Sequence, residues 1–80
     1  MAVIRLFAAA RLAAGTGRTI VPGATVGDVL DGACARFGDD LRAVLPSCQI
    51  WLNGDATDRT AVVGEDDEIG ILPPVSGGAA

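Results

Sequence analysis

The 80-residue sequence contains no lysine, no histidine and no tyrosine, and only two cysteines. Without histidine it lacks the side chain that most often serves as general base and metal ligand near neutral pH. Self-sufficient histidine-dependent catalysis and the usual zinc sites are therefore excluded. Cys34 and Cys48 fit no Cys-x-x-Cys spacing and have no histidine partner, which favours two buried, reduced thiols over a metal or redox centre. Cationic charge is also scarce: six arginines face ten carboxylates, for a formal charge of −4. Nucleic acids and anionic membranes draw their affinity from clustered cations, so neither is an expected partner. No apolar run approaches the roughly 18–20 residues of a membrane span. The stretch between Arg5 and Arg11 is too short for the apolar region of an export signal, so the expected location is the cytoplasm.

This length suits one domain. Half of the residues are apolar, but 14 of them are alanine, so the core is thin and single truncations in it are costly.

Several elements can be read along the chain. Ala2 to Phe7 alternates as a strand, with Ile4 and Leu6 on one face and Val3, Arg5 and Phe7 on the other. Large apolar groups on both faces place this strand inside a sheet. Ala8 to Ala14 is built of helix formers, and Gly15 supplies a left-handed cap. Arg18 to Val21 is a short second strand ended by Pro22-Gly23. Val26, Val29, Leu30, Ala33, Cys34 and Phe37 then form one helical stripe, with Thr25 at the N-cap, Asp28 in the first turn and Gly38 at the stop. A short helical turn is expected within Asp39 to Pro46. Cys48, Ile50 and Leu52 alternate as a strand running into Asn53-Gly54, a strong hairpin signal. Ala56 to Val63 is expected as a weak edge strand, and Ile69 to Leu72 as the last strand.

Glu65-Asp66-Asp67-Glu68 sets four carboxylates in a row. Adjacent residues of a turn point in different directions, so a solvated turn is favoured over a cation site or an acid–base pair. After the last strand comes Leu72-Pro73-Pro74-Val75-Ser76-Gly77-Gly78, followed by Ala79-Ala80. Proline holds φ and pushes the residue before it into extended conformations, so a domain of residues 1–72 should carry a projecting tail of residues 73–80. Glycine without a Cβ can enter a slot closed to other residues. A frayed terminus of the same composition is the simpler alternative.

The element order implies an α+β roll whose first and last strands lie side by side and parallel. It resembles the β-grasp fold of ubiquitin-like proteins, with a mixed sheet of four to five strands, one main helix packed on one face and a short helix after the first strand. The details resemble the ubiquitin-like sulfur-carrier family of MoaD/ThiS type, and within it the molybdopterin synthase small-subunit branch. The resemblance is carried by Leu6-Phe7-Ala8 with Arg11 and Gly15, Pro22-Gly23-Ala24-Thr25-Val26 with Asp28-Val29-Leu30, Leu52-Asn53-Gly54, Asp67-Glu68-Ile69 and the Leu72 to Gly78 run. Two positions depart from the pattern. Asp66 stands where the family usually has glycine, a change tolerable if Asp66 takes a left-handed conformation. Ala79-Ala80 follow a Gly-Gly that usually ends the chain, which implies a precursor trimmed by a peptidase.

The resemblance implies a carrier that is no enzyme on its own and binds no cofactor and no metal. An adenylating enzyme related to ubiquitin-activating enzymes would consume ATP to activate Gly78, and a sulfur donor would convert it to a thiocarboxylate. The tail, Pro73, Pro74, Val75, Ser76, Gly77 and Gly78, would then enter a large catalytic subunit and deliver sulfur to cyclic pyranopterin monophosphate in molybdenum cofactor biosynthesis. Phe7, Arg11, Trp51 and Leu72 would face the partner. From the residues alone, Phe7 could equally be core, Arg11 a solvated helix residue, and Trp51 an anchor or a lid. A carrier serving cysteine, thiamine or a specialised sulfur-containing metabolite is the alternative pathway. A ubiquitin-like protein modifier, or a plain binding module, is the alternative class.

Overall fold

The computed structural model describes residues 2–74. Strand β1 (Ala2–Leu6) buries Ala2, Ile4 and Leu6, and leaves Val3 and Arg5 half-buried on the other face. Helix α1 (Ala8–Ala14) closes on Gly15, whose N–H donates to the Arg11 carbonyl at 2.9 Å with φ at 76°. Strand β2 (Arg18–Val21) returns antiparallel, with Val3 opposite Ile20 and Arg5 opposite Arg18. The apolar stripe forms helix α2 (Val26–Phe37), capped by Thr25 Oγ1 accepting the Asp28 N–H at 3.2 Å. Helix α3 (Asp39–Val44) and a 3₁₀ turn (Leu45–Ser47) lead into strand β3 (Gln49–Leu52). Asn53 and Gly54 both have positive φ, 52° and 88°, as a tight hairpin turn requires, and strand β4 (Asp55–Ala56) follows. Strand β5 (Glu68–Leu72) comes last.

The sheet order is β2-β1-β5-β3-β4, with β1 and β5 parallel and the other pairs antiparallel. This is a β-grasp roll. β1 is interior, as its two apolar faces require, but β5 takes the centre. Ile4, Leu6, Ile69 and Ile71 pack under Val26, Val29, Leu30 and Ala33 of α2, and Leu41 of α3 is fully buried in the same cluster. Among the described residues no helix is long and apolar enough to cross a membrane.

The expected edge strand from Ala56 to Val63 is corrected: only β4 forms. Asp58 Oδ1 accepts the Thr60 N–H at 2.9 Å, a local bond that pulls the backbone off the ladder. The segment then satisfies the start of α2 instead. The N–H groups of Val26 and Gly27 donate to the carbonyls of Ala61 and Arg59, both at 2.9 Å, and Val62 bridges Thr25. Helix starts leave such donors without partners inside the helix, and here a neighbouring segment supplies them.

The four-carboxylate turn is divided among separate duties. Asp67 Oδ2 accepts the Gly64 N–H at 2.7 Å, and Asp67 Oδ1 accepts from Asn53 Nδ2 at 3.0 Å. Asn53 Oδ1 in turn accepts the Glu68 N–H at 2.9 Å, so the β3–β4 hairpin is clipped to the start of β5. Asp66 does not take positive φ, so its tolerance in the turn needs no left-handed backbone. The hydrogen bonds from Gly64 and then Asn53 hold the Asp67 carboxyl below the usual carboxylate range. A carboxyl with a depressed folded pKa contributes stability that is complete above the unfolded value, about 3.9, and is lost as pH falls through the folded value. In urea titrations across acid pH, Asp67→Asn should therefore be less stable than wild type at pH 6 and lose less on further acidification. Asp58, held down mainly by Thr60, retains its own share of the acid response.

Cys34 is buried and Cys48 half-buried, both as free thiols. Burial pushes both thiols up, so they remain protonated near neutral pH.

Candidate functional site

Alternation along the strands divides the sheet into a helix-covered face and an open one. On the open face β1 presents Val3 and Arg5, β5 presents Glu68, Gly70 and Leu72, and β3 presents Trp51. Phe7, just beyond β1, joins them at 42% exposure, its N–H donating to the Ile71 carbonyl at 3.2 Å. Its place is thus on the surface, although the strand pattern alone left it between surface and core.

Gly70 shapes this face. It pairs with Arg5 on one side and Trp51 on the other. A Cβ there would lie 3.2 Å from Leu72 Cδ1, 3.7 Å from Trp51 Cβ and 4.0 Å from Phe7 Cε2. Its missing side chain leaves a notch of about 260 Å³, lined by Arg5, Phe7, Trp51, Gly54, Glu68, Gly70 and Leu72. Phe7, Trp51 and Leu72 are therefore brought together around one depression, the arrangement that lets a partner bury apolar surface. Gly70 was missed in the sequence reading, although a glycine in a strand interior is a signal of close approach.

Charge and hydrogen bonding frame the notch. The Arg5 guanidinium carbon sits 5.9 Å from the Phe7 ring centroid, and its Nη1 lies 3.7 Å from Glu68 Oε2. The Trp51 indole N–H is buried with no hydrogen-bond partner among the described residues. Arg11 does not line the notch. It is exposed on α1 and its side chain lies over Gly17 in the α1–β2 turn.

Leu72 runs directly into Pro73, half-buried, and Pro74, exposed. Val75, Ser76, Gly77 and Gly78, the remaining tail residues singled out in the sequence, lie outside the described residues, as do Ala79 and Ala80. A larger cavity of about 570 Å³ opens on the helix side, lined by Leu30, Cys34, Leu45, Cys48 and Ile50 with Arg42 and Arg59 among its other walls. Its two arginines are already engaged, Arg59 with Asp31 at 2.6 Å and Arg42 with Asp39 at 3.1 Å. Among the described residues no group of three or more histidine, cysteine, aspartate or glutamate side chains could hold a metal ion.

The whole fold is shared with solved structures. Small archaeal modifier protein 1 from Methanosarcina acetivorans is similar over 96% of this chain and 95% of its own, at 33% identity and a TM-score of 0.87. The protein of that name from Haloferax volcanii is similar at 31% identity and a TM-score of 0.83, over 96% of this chain and 98% of its own. The Amycolatopsis orientalis BexX/CysO complex contains a chain that shares the fold, at 20% identity and a TM-score of 0.82, covering 98% of this chain and 100% of that one. The sequence profile of the ThiS family matches residues 4–78, from the first strand through the two glycines of the tail. The chain belongs to the ThiS family of ubiquitin-like β-grasp proteins.

Proposed function

We propose that this protein is a sulfur carrier whose working atom is the carbonyl carbon of Gly78, exposed as a carboxyl once Ala79-Ala80 are removed. The observation that carries this reading is the course of β5. The central strand delivers Leu72 to an open apolar notch, and Pro73-Pro74 lead on into Val75-Ser76-Gly77-Gly78. Membership of the ThiS family supports it.

A terminal carboxyl has a pKa of about 3.5 and is an unreactive anion near neutral pH. An adenylating partner would use ATP to form an acyl-adenylate at Gly78 with release of pyrophosphate. A persulfide sulfur would displace AMP to give an acyl disulfide, and attack of a second thiol on the donor's sulfur would release the thiocarboxylate and leave that thiol and the donor joined as a disulfide. The carrier's contribution is positional: Phe7, Trp51 and Leu72 seat the body, the prolines hold the arm extended, and the glycines thread a narrow channel where the receiving pocket excludes water. We assign the sulfur to molybdenum cofactor biosynthesis, delivered to cyclic pyranopterin monophosphate in a large catalytic subunit. The A. orientalis structure, a complex of CysO with BexX, supports the general picture of a carrier seated on a second protein.

A second reading, a modifier joined to other proteins through Gly78, is favoured by the 33% and 31% identity to the two archaeal modifier proteins. One experiment separates the two. The chain trimmed at Gly78 is incubated with ATP, the adenylating enzyme of its own organism and a persulfide donor, and its intact mass is measured. Replacement of one oxygen by sulfur is expected; a ladder of protein conjugates in a cell extract without any thiolated carrier would support the modifier instead. The untrimmed chain should stay unchanged, and its thiolation would overturn the trimming step.

Gly70→Val tests the notch in the same assay. A β-branched residue suits a central strand, so stability should stay within about 1 kcal/mol of wild type in urea unfolding. The filled notch should raise the KM for the carrier several-fold. An unchanged KM would remove the notch from the docking surface.

A further inference from the structure

Half of this chain's arginines gather at one corner. Arg5 and Arg18 are direct cross-strand partners on the open face of the sheet. Arg11 lies over Gly17, the residue that precedes Arg18. Like charges placed directly opposite each other destabilise a sheet, and a chain with ten carboxylates has the means to neutralise them. Only Glu68 approaches, with a 3.7 Å contact to Arg5; Arg11 and Arg18 make no ion pair among the described residues. The other three arginines are used within the fold. Arg36 donates to Thr19 Oγ1 and the Ile20 carbonyl, Arg42 pairs with Asp39, and Arg59 pairs with Asp31. Beside this corner, where one carboxylate faces three arginines, Phe7 and Ile20 are exposed at 42% and 43%.

We infer that Arg5 and Arg18, with Arg11 beside them, form the charged half of the docking surface and meet a carboxylate-bearing surface on the adenylating partner. This rests on the sulfur-carrier reading and adds to it the chemistry of the partner's face. The net charge of −4 makes the corner selective as well as attractive. An acidic surface is repelled by most of this molecule and drawn to one corner, which turns Phe7, Leu72 and the start of the tail toward it. The guanidinium of Arg5, at the notch, is a donor and matches the same acceptor-rich surface.

The test measures kcat and KM for the trimmed carrier in ATP-dependent AMP release by the adenylating enzyme of the same organism, with a saturating persulfide donor and thiol present, at low and high salt. Arg18→Glu and Arg5→Glu should each raise KM about threefold to tenfold with kcat unchanged, and should flatten its salt dependence. Thermal unfolding of Arg18→Glu should be unchanged or shifted upward, since a like-charge contact is removed; Arg18→Gln, with a smaller rise in KM, serves if the glutamate disturbs the strand. Arg42→Glu makes the same change in net charge on the helix side and should leave KM at the wild-type value. A wild-type KM for Arg18→Glu, or an equal rise for Arg42→Glu, would overturn the corner as a docking site while leaving the carrier reading intact. Failure of the wild-type chain to turn over would overturn the carrier reading and this assignment with it. Single-stranded RNA retained by wild type and released by Arg18→Glu, with KM unmoved, would give the corner to nucleic acid and overturn the protein partner.

Discussion

Removing Gly77 and Gly78 from the trimmed chain should abolish thiocarboxylate formation while leaving the thermal unfolding midpoint within error of wild type. The two expectations come from different parts of the molecule. On the sulfur-carrier proposal the acyl carbon to be activated leaves with Gly78, and a new end at Ser76 stops two residues short of it. Among the described residues the buried cluster runs from Ala2 to Ile71, ahead of Pro73, and the unchanged midpoint is expected on that ground. Intact mass spectrometry reads the first effect and calorimetry the second. Thiolation of the shortened chain would sink the carrier assignment at Gly78. A fall of several degrees in the midpoint would instead mean that the tail supports the body.

Truncating Ile71 to alanine should destabilise the domain by about 2–5 kcal/mol, against a total of roughly 5–8 kcal/mol for a fold of this size. Ile71 is fully buried in β5, where the ladders to Leu6 and Ile50 meet, so neither neighbour can collapse into the space without breaking register. Much of the population should be unfolded or unfold at mild urea concentration. Val62→Ala is the matched control. Val62 is 78% exposed, and its truncation should stay within about 0.5 kcal/mol. Equal losses at the two positions would contradict a core centred on β5.

These contrasts also show which features local chemistry could reveal. The stripe from Val26 to Phe37, the Thr25 cap, the Gly15 closure and the Asn53-Gly54 turn all obey short-range rules, and each lies where those rules put it. The parallel pairing of β1 and β5 followed from element order. The segment from Ala56 to Val63 did not follow. Its β-branched residues fit a strand, but its carbonyls are taken by the start of α2, a partner distant in sequence. The candidate site divides in the same way. Trp51 was readable as an outward position and Phe7 was left between surface and core, while the notch they share with Leu72 depends on Gly70 and on a register that sets Arg5 and Trp51 at its two sides. The Arg5–Arg18 pairing is likewise invisible until β1 and β2 are aligned residue by residue.

The placement of β5 has a consequence for biosynthesis. Before it emerges from the ribosome, the β1–β2 hairpin and the β3–β4 hairpin have no ladder joining them, because β5 is the strand that lies between. Among the described strands the sheet is thus sealed by the last in chain order, a long-range closure of the kind that slows folding. A nascent fragment lacking β5 therefore has neither the joined sheet nor the notch, whose walls at Glu68, Gly70 and Leu72 belong to that strand.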